Sequence, residues 1–406
     1  VNLYLDHSKT TKINGILTIS GSKSESNRLL ILQKLYPQLA IENLSDSDDT
    51  HHLQQALLSG ADTVDIGHAG TAMRFLTAYF SMQEGREVLL TGSERMQNRP
   101  VKILVDALRE LGAAITYKDK EDYPPLLIKG KNLTNNAVRI NGNVSSQYLS
   151  ALLLIAPRLS QGLHLNLVGK VTSRPYLEMT LNLLEQIGVE YTWEDTIISV
   201  LPKEKVVAKT LKVESDWSSA SYFYSLTALS TDAHLELNTF KKDSLQGDSA
   251  LVAIYKELGV DTVFNDDAIT LVKNAKRKTQ NLKLNLVNTP DLAQTIAVSC
   301  FGMGIACELT GLHTLKIKET DRLVALKTEL EKLGAHVVIT EDSLHLKPAQ
   351  HINTNIKIAT YKDHRMAMAF APLSLKVPIV IEEAEVVSKS YPKFWEDLDK
   401  LFIAKG

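Results

Sequence analysis

Val105-Asp106-Ala107-Leu108-Arg109-Glu110-Leu111-Gly112-Ala113, with Ala114-Ile115-Thr116-Tyr117 behind it, is the stretch on which the fold turns. Its apolar residues recur at helical spacing and stop at a Gly, the residue that most readily takes the left-handed conformation ending a helix. An alternating, β-branched strand begins at once. The same phrase returns at 181–189 leading into 190–193, at 250–259 into 260–264, and at 326–334 into 335–340. A looser copy runs over 53–60 and into 61–66. The clearest copies stand about 75 residues apart, a spacing expected of a repeated supersecondary unit.

Between the copies lie further strands and a second kind of helix. It begins from a Ser, Gly or Thr loop and is apolar nearly all round, as at 148–155 and 294–306. A helix of that character is buried, whereas the Gly-ended ones show a polar face. The unit reads as βαβαββ, with one covered and one surface helix. About six such units in two domains are predicted, sheets outside and buried helices in the middle, an α/β fold. Glu214-Ser215-Asp216-Trp217 marks the crossing between two sets of repeats.

A chain of 406 residues exceeds one ordinary core, in keeping with that division. Its 44% apolar and 23% charged residues are normal for a water-soluble globular protein. The longest nearly uncharged apolar stretches, 295–307 and 148–157, fall short of the roughly 20 residues a membrane span needs. The first residues, Val1-Asn2-Leu3-Tyr4-Leu5-Asp6-His7, show no basic region followed by an apolar core, so no secretory signal is expected. Cys300 and Cys307, the two cysteines, would share one helix face about two turns apart, too far for a bridge. That suits a reducing, cytoplasmic setting. Lys and Arg total 45 against 47 Asp and Glu, so no global basic field exists to hold nucleic acid. The one basic run, at 273–278, lacks interleaved aromatics and reads as a solvated hairpin loop. Any handling of anions is local.

Local anion handling is what the helix starts suggest. Gly21-Ser22-Lys23-Ser24-Glu25-Ser26-Asn27-Arg28 precedes an apolar run, with Ser22 and Glu25 spaced as a capping box. Unpaired N–H groups at such an end favour anions, and Lys23 and Arg28 add full charges. The loop resembles the end of a phosphate loop but lacks its upstream Gly, so plain capping and anion binding both fit. Gly67-His68-Ala69-Gly70-Thr71-Ala72-Met73-Arg74, Val144-Ser145-Ser146-Gln147 and Ser173-Arg174-Pro175-Tyr176 open further helices. Thr289-Pro290-Asp291 reads as a cap, a first-position Pro and a first-turn acid. Lys316-Ile317-Lys318-Glu319-Thr320-Asp321-Arg322, Asp363-His364-Arg365-Met366 and Ser388-Lys389-Ser390-Tyr391-Pro392 complete the set. Each alone could be surface charge; their recurrence at one place in successive repeats is not explained that way. Arg99 joins them, since a residue before Pro100 is held extended and its guanidinium suits a bidentate grip on carboxylate or phosphate. No Cys/His cluster has metal-ligand spacing, adjacent His51 and His52 pointing apart on a helix, and no G-x-S-x-G elbow is present.

At these residues the chain closely resembles the EPSP synthase family, the 3-phosphoshikimate 1-carboxyvinyltransferases of the shikimate pathway. The resemblance runs from Gly21-Ser22-Lys23-Ser24 to Lys389-Ser390-Tyr391-Pro392 and is strongest at Gly70-Thr71-Ala72-Met73-Arg74, Lys318-Glu319-Thr320-Asp321-Arg322 and Asp363-His364-Arg365-Met366-Ala367-Met368. It implies the inside-out α/β barrel fold: two domains of three βαβαββ repeats, here placed at 14–216 and at 1–13 with 217–406. It also implies transfer of the enolpyruvyl group of phosphoenolpyruvate to the 5-hydroxyl of shikimate 3-phosphate, in aromatic amino acid biosynthesis, by a cytoplasmic monomer without metal or organic cofactor. By motif match, Ser145, Ser146, Ser173 and Lys318 hold the shikimate phosphate, while Lys23, Ser24, Arg28, Gln147, Tyr176 and Asp291 contact the rest of that substrate, with Thr314 nearby. Lys23, the Gly70 backbone, Arg99, Gln147, Arg322, Arg365 and Lys389 cradle phosphoenolpyruvate. Asp291 matches a base for the 5-hydroxyl and Glu319 an acid for the methylene carbon, Lys23 being grouped with them as catalytic. The tetrahedral intermediate keeps its carboxylate and phosphate, so preorganised cations stabilise it.

Departures from the family pattern are His68 where Asn is common, Phe75 and Ser20 where Pro is common, Ser215 for Gly and Thr314 for Asn; none removes a charge. They bear instead on the response to glyphosate, the family's inhibitor. The UDP-N-acetylglucosamine enolpyruvyl transferases share the architecture but carry a Cys in a mobile loop, and residues 84–100 contain none. A nucleotide- or nucleic-acid-binding repeat protein would want a basic stripe with exposed aromatics, which is absent.

Overall fold

The computed structural model describes residues 1–402 apart from Ser173, Arg277, Lys278 and Glu319. Two compact units emerge: Gly21–Val213, and Val1–Ser20 with Glu214–Gly406.

In the first unit, strands Thr63–Asp65 and Glu87–Thr91 run parallel, and Leu126–Lys129 and Ala114–Tyr117 continue the sheet antiparallel. Helix Gly70–Ser81 joins the parallel pair, and helix Lys102–Glu110 leads to the antiparallel one. The same βαβαββ order recurs with strands Ala137–Asn141, Leu163–Val168, Ile197–Val200 and Tyr191–Glu194, and with helices Ser146–Ile155 and Arg174–Gln186. A third repeat is shortened. Among the described residues its sheet is only the parallel pair Leu39–Glu42 and Lys209–Lys212, with helices Lys23–Leu35 and Asp48–Leu58.

The second unit repeats the scheme. Lys12–Thr18 pairs parallel with Asp232–Asn238, followed by Ala268–Lys273 and Val260–Phe264. Asn281–Asn285, Ala306–Thr310, Leu344–Leu346 and Val337–Ile339 form the next sheet, and Ile356–Ile358, Ile379–Ile381 and Leu3–Leu5 the last. The chain leaves the first of these repeats after its opening strand, builds the whole of Gly21–Val213, and returns at helix Trp217–Leu229.

Burial follows the two kinds of helix. Every residue of Gly70–Ser81 is buried, as is every residue of Trp217–Leu229 except Ser218. The Gly-ended helices bury one stripe; Lys102–Glu110 hides Leu104, Val105, Ala107 and Leu108. Gly112 takes φ +104°, and the N–H groups of Gly112 and Ala113 return to the carbonyls of Arg109 and Leu108, both at 2.9 Å, a Schellman closure. Gly188, Gly259 and Gly334 also have positive φ. The looser copy differs. Its helix stops at Leu58 on an extended Ser59, and Gly60 takes no left-handed turn.

Two further expectations need correction. The segment read as one helix over 294–306 is the helix Ala293–Gly302, a left-handed Gly304 at φ +68°, and then the strand Ala306–Thr310. The Ile305 N–H closes on the Cys300 carbonyl at 2.8 Å. Cys300 and Cys307 therefore do not share a helix face. The reversal makes them hydrogen-bonding neighbours, which together with burial raises the Cys300 thiol well above its ordinary value; both are free and buried. The basic run is not a hairpin either, because the strands Ala268–Lys273 and Asn281–Asn285 on its two sides belong to different sheets. No helix among the described residues is long and apolar enough to cross a membrane.

Candidate active site

In Gly21–Val213 the charged helix starts are built as follows. Ser22 caps Lys23–Leu35, its Oγ accepting the Glu25 N–H at 3.4 Å, so the capping half of the reading holds. Lys23 Nζ stands 3.3 Å from Oδ2 of nearly buried Asp49. Arg28, expected to reach substrate, is bonded inside the unit. Its Nε donates to Thr180 Oγ1 at 2.7 Å, Nη1 to the Ser24 carbonyl at 2.7 Å, and Nη2 to Ser150 Oγ at 2.9 Å and the Tyr176 carbonyl at 3.3 Å. Only 2% of it is exposed, and burial pulls its pKa down to about 10, which still leaves it charged at neutral pH. Arg28 thus fixes the backbone behind Ser24 and Tyr176, two other expected contacts.

Helix Gly70–Ser81 starts from Ala69 without a side-chain cap. Two guanidinium groups flank that start. A Cβ on Gly70 would lie 2.6 Å from Arg99 Nη1 and 3.1 Å from Arg74 Nη1, and Arg74 Nη1 donates to the Gly70 carbonyl at 2.9 Å. Ser145 caps Ser146–Ile155, its Oγ accepting the Gln147 N–H at 3.4 Å, and Gln147 Nε2 donates to Thr71 Oγ1 at 3.1 Å. Tyr148 donates to the Pro100 carbonyl at 2.7 Å, tying this helix to the Arg99-Pro100 turn. Lys23, Gly70, Arg99, Ser145, Ser146 and Gln147 thus all lie at helix starts of one unit; Ser173 lies outside the described residues.

The other unit centres on Asp291. It sits in the first turn of the 3₁₀ segment Pro290–Leu292, behind Pro290, as expected; only the cap differs, since Thr289 makes no side-chain cap bond. Its Oδ1 is 2.8 Å from Arg322 Nη1 and 3.6 Å from Lys318 Nζ, and its Oδ2 is 3.0 Å from Arg365 Nη2. Asp363 caps helix His364–Phe370 through the Arg365 N–H at 2.9 Å and also accepts Arg322 Nε at 2.6 Å. Asp363 thereby holds the Arg322 guanidinium from behind and fixes the Arg365 backbone. Lys389 ends the 3₁₀ segment Ala384–Lys389 and is buried. Thr314 Oγ1 is buried with no hydrogen-bond partner among the described residues. Glu319, the expected acid, lies outside them. Among the described residues no three His, Cys, Asp or Glu side chains gather as metal ligands.

Asp49, Thr180 and Ser150 are not among the expected residues, and Asp363 is expected only as a helix start, not as the partner of Arg322. Asp49 carried a signal of sorts, since Asp48-Asp49 after Ser47 reads as ordinary dipole decoration. Thr180 and Ser150 carried none, being polar residues inside apolar helices.

Repeats of this kind with cations at their helix starts make a protein suited to binding small anions. The EPSP synthase family model, 3-phosphoshikimate 1-carboxyvinyltransferase, matches residues 53–398, and the chain belongs to that family. It is 46% identical over 398 residues to 3-phosphoshikimate 1-carboxyvinyltransferase of Bacteroides fragilis (strain ATCC 25285), covering 97% of this chain and 96% of that one. It is 36% identical over 419 residues to the same-named protein of Sulfurovum sp., covering 96% and 97%. In fold it is similar to EPSP synthase from Acinetobacter baumannii, with TM-score 0.79, 21% identity and 98% of each chain covered. The enolpyruvyl transferase NikO from Streptomyces tendae is similar too, with TM-score 0.72, 14% identity, and 99% and 97% covered.

Proposed function

We propose that this chain transfers the enolpyruvyl group of phosphoenolpyruvate to the 5-hydroxyl of shikimate 3-phosphate, releasing inorganic phosphate. The observation that carries the reading is the set of three cations, Arg322, Arg365 and Lys318, converging on Asp291, in a chain of this family. A cradle that satisfies one carboxylate by three cationic donors has the charge and geometry for a carboxylate–phosphate substrate.

The chemistry proceeds by addition and elimination. The 5-oxygen bonds to C2 of phosphoenolpyruvate as its proton passes to Asp291, and C3 gains a proton from Glu319. The tetrahedral adduct then loses phosphate from C2, which carries away the proton held by Asp291, while C3 returns a proton to Glu319, leaving the enol ether. Both Asp291 oxygens are engaged by cations at rest. Phosphoenolpyruvate competes for Arg322 and Arg365, and Asp291 becomes available to the hydroxyl as they turn to the substrate. Base activity is thereby tied to occupancy of the phosphoenolpyruvate site. Lys23, Arg99, Gln147 and Lys389 add donors to the same anion, and Ser145, Ser146, Ser173 and Lys318 take the shikimate phosphate. Ser24, Tyr176 and Thr314 line the shikimate ring, and Arg28 acts behind Ser24 and Tyr176. The chain works as a cytoplasmic monomer, without nucleic acid partners.

Phosphorus NMR tests the reaction. Shikimate 3-phosphate and phosphoenolpyruvate with the protein should lose the phosphoenolpyruvate signal and gain inorganic phosphate one for one, the phosphomonoester of the acceptor persisting. Phosphate release at the same rate without shikimate 3-phosphate would overturn the reading.

A further inference from the structure

Ser218 is the one residue of helix Trp217–Leu229 that is not buried. Its hydroxyl donates to Asp248 Oδ2, and Ser218 Oγ in turn accepts Arg365 Nη2 at 3.4 Å. That nitrogen also meets Asp291 Oδ2 at 3.0 Å. A hydroxyl whose proton is committed to a carboxylate turns its lone pairs outward, and can only accept from the guanidinium.

The elements carrying the pair are locked together. Gln246 Oε1 accepts the Trp217 N–H at 2.9 Å, and its Nε2 donates to the Ser215 carbonyl at 2.8 Å. Glu214 accepts Trp217 Nε1 at 2.7 Å and Ser244 Oγ at 2.6 Å. The Asp248 turn, Gly247–Ala250, is therefore held against the start of the Ser218 helix. Asp248 itself is 5% exposed. Burying a carboxylate is costly, and nothing in the reaction as written uses this one. We propose that Asp248, acting through the Ser218 hydroxyl, is a positioning residue that aims the Arg365 guanidinium at phosphoenolpyruvate.

When the substrate draws Arg365 from Asp291, the Ser218–Asp248 pair remains as its backing. Without it the long side chain regains alternative rotamers. The charged groups facing Asp248 are Asp291, Arg365 and Asp216. Burial first, and then the Asp291 charge, push its pKa up to about 6 against the opposing pull of Arg365 and Ser218. Near neutral pH it therefore carries the charge that orients the hydroxyl, and below that value it does not.

The inference rests on Arg365 holding phosphoenolpyruvate, so Arg365→Ala is measured alongside. Ser218→Ala and Asp248→Asn are each expected to raise KM for phosphoenolpyruvate about tenfold, the effect of one charge-assisted hydrogen bond. KM for shikimate 3-phosphate should stay within about twofold, and kcat within about threefold. The double variant should be little worse than the poorer single one, because the two act in series. Ser218→Thr, which keeps the hydroxyl, should recover most of the loss. The advantage of wild type over Ser218→Ala should also narrow as pH falls through about 6, which a purely structural role would not produce. KM for phosphoenolpyruvate near wild type in Ser218→Ala, with Arg365→Ala impaired, would overturn the inference alone. An unimpaired Arg365→Ala would remove the reading beneath it as well. Should Asp248→Asn not fold, Ser218→Ala and Ser218→Thr decide the matter.

Discussion

Replacing Gly70 by Ala puts one methyl group where two guanidinium groups meet. The new Cβ would lie 2.6 Å from Arg99 Nη1, so Arg99 must retreat by about 0.8 Å to reach an ordinary 3.4 Å contact. Arg74 can give less, since its Nη1 is bonded to the Gly70 carbonyl at 2.9 Å inside the unit. Arg99 is the half-exposed end of a flexible side chain, so the fold should survive the change. The misplaced charge is what matters. Overpacking of about 1–3 kcal/mol corresponds to roughly 5–150-fold in an equilibrium, and a misplacement near 1 Å costs about 10²-fold in rate at worst. Gly70→Ala should therefore raise KM for phosphoenolpyruvate by about 10–100-fold. KM for shikimate 3-phosphate should remain within about twofold and the melting temperature within a few degrees, since Ala is also about 1 kcal/mol the better helix former. The inhibition constant for glyphosate should rise further than KM, since the longer inhibitor meets the same methyl. Steady-state phosphate release and a melting scan measure all of this. A KM for phosphoenolpyruvate within about twofold of wild type would show that the Gly70–Arg99 approach has no part in binding.

Asp291→Asn keeps the size of the side chain but loses the base and the charge on which three cations converge; kcat should fall by roughly 10²–10⁴, while shikimate 3-phosphate, titrated calorimetrically, still binds within about tenfold. Arg28→Met should lower the melting temperature and weaken shikimate 3-phosphate by loosening Ser24 and Tyr176, with kcat at saturation changed by less than about tenfold, which a direct substrate contact in the transition state would not allow. Asp248, with its folded-state pKa raised to about 6 from 3.8, holds its proton more tightly when native, so its contribution to stability is present at low pH and lost as pH rises through about 6. Denaturant unfolding between pH 4.5 and 8 should show Asp248→Asn lacking that decline, a difference of about 2 kcal/mol at most. Cys300 and Cys307 should resist a thiol reagent in the native protein and both react in denaturant, which rapid native labelling would contradict.

The repeat was legible because it rests on local signals. A helical stripe ending in Gly, then a β-branched strand, needs no tertiary knowledge, and four such glycines take the left-handed turn. Gly60 failed because Ser59 had already ended its helix in an extended conformation. The apolar run after Gln294 concealed the reversal at Gly304, since buried helix and buried strand look alike in composition. The proposed site residues are visible in sequence as charged helix starts, but the pairings between them are not. Asp291 reads as dipole decoration in sequence and becomes the centre of a cation cluster only through Lys318, Arg322 and Arg365, all distant along the chain. Arg28 reads in sequence as a charge at a helix start; the Thr180 and Ser150 hydroxyls that it bonds lie on other helices and carry no sequence signal. Ser218 and Asp248 sit 30 residues apart with no motif linking them.

The most direct test is acceptor choice. With phosphoenolpyruvate at saturation, phosphate release is followed with shikimate 3-phosphate or with UDP-N-acetylglucosamine, and the product mass is checked. The account requires turnover with shikimate 3-phosphate, a product heavier by one enolpyruvyl group, and release with the sugar nucleotide no faster than without acceptor. Turnover with UDP-N-acetylglucosamine and none with shikimate 3-phosphate would contradict it.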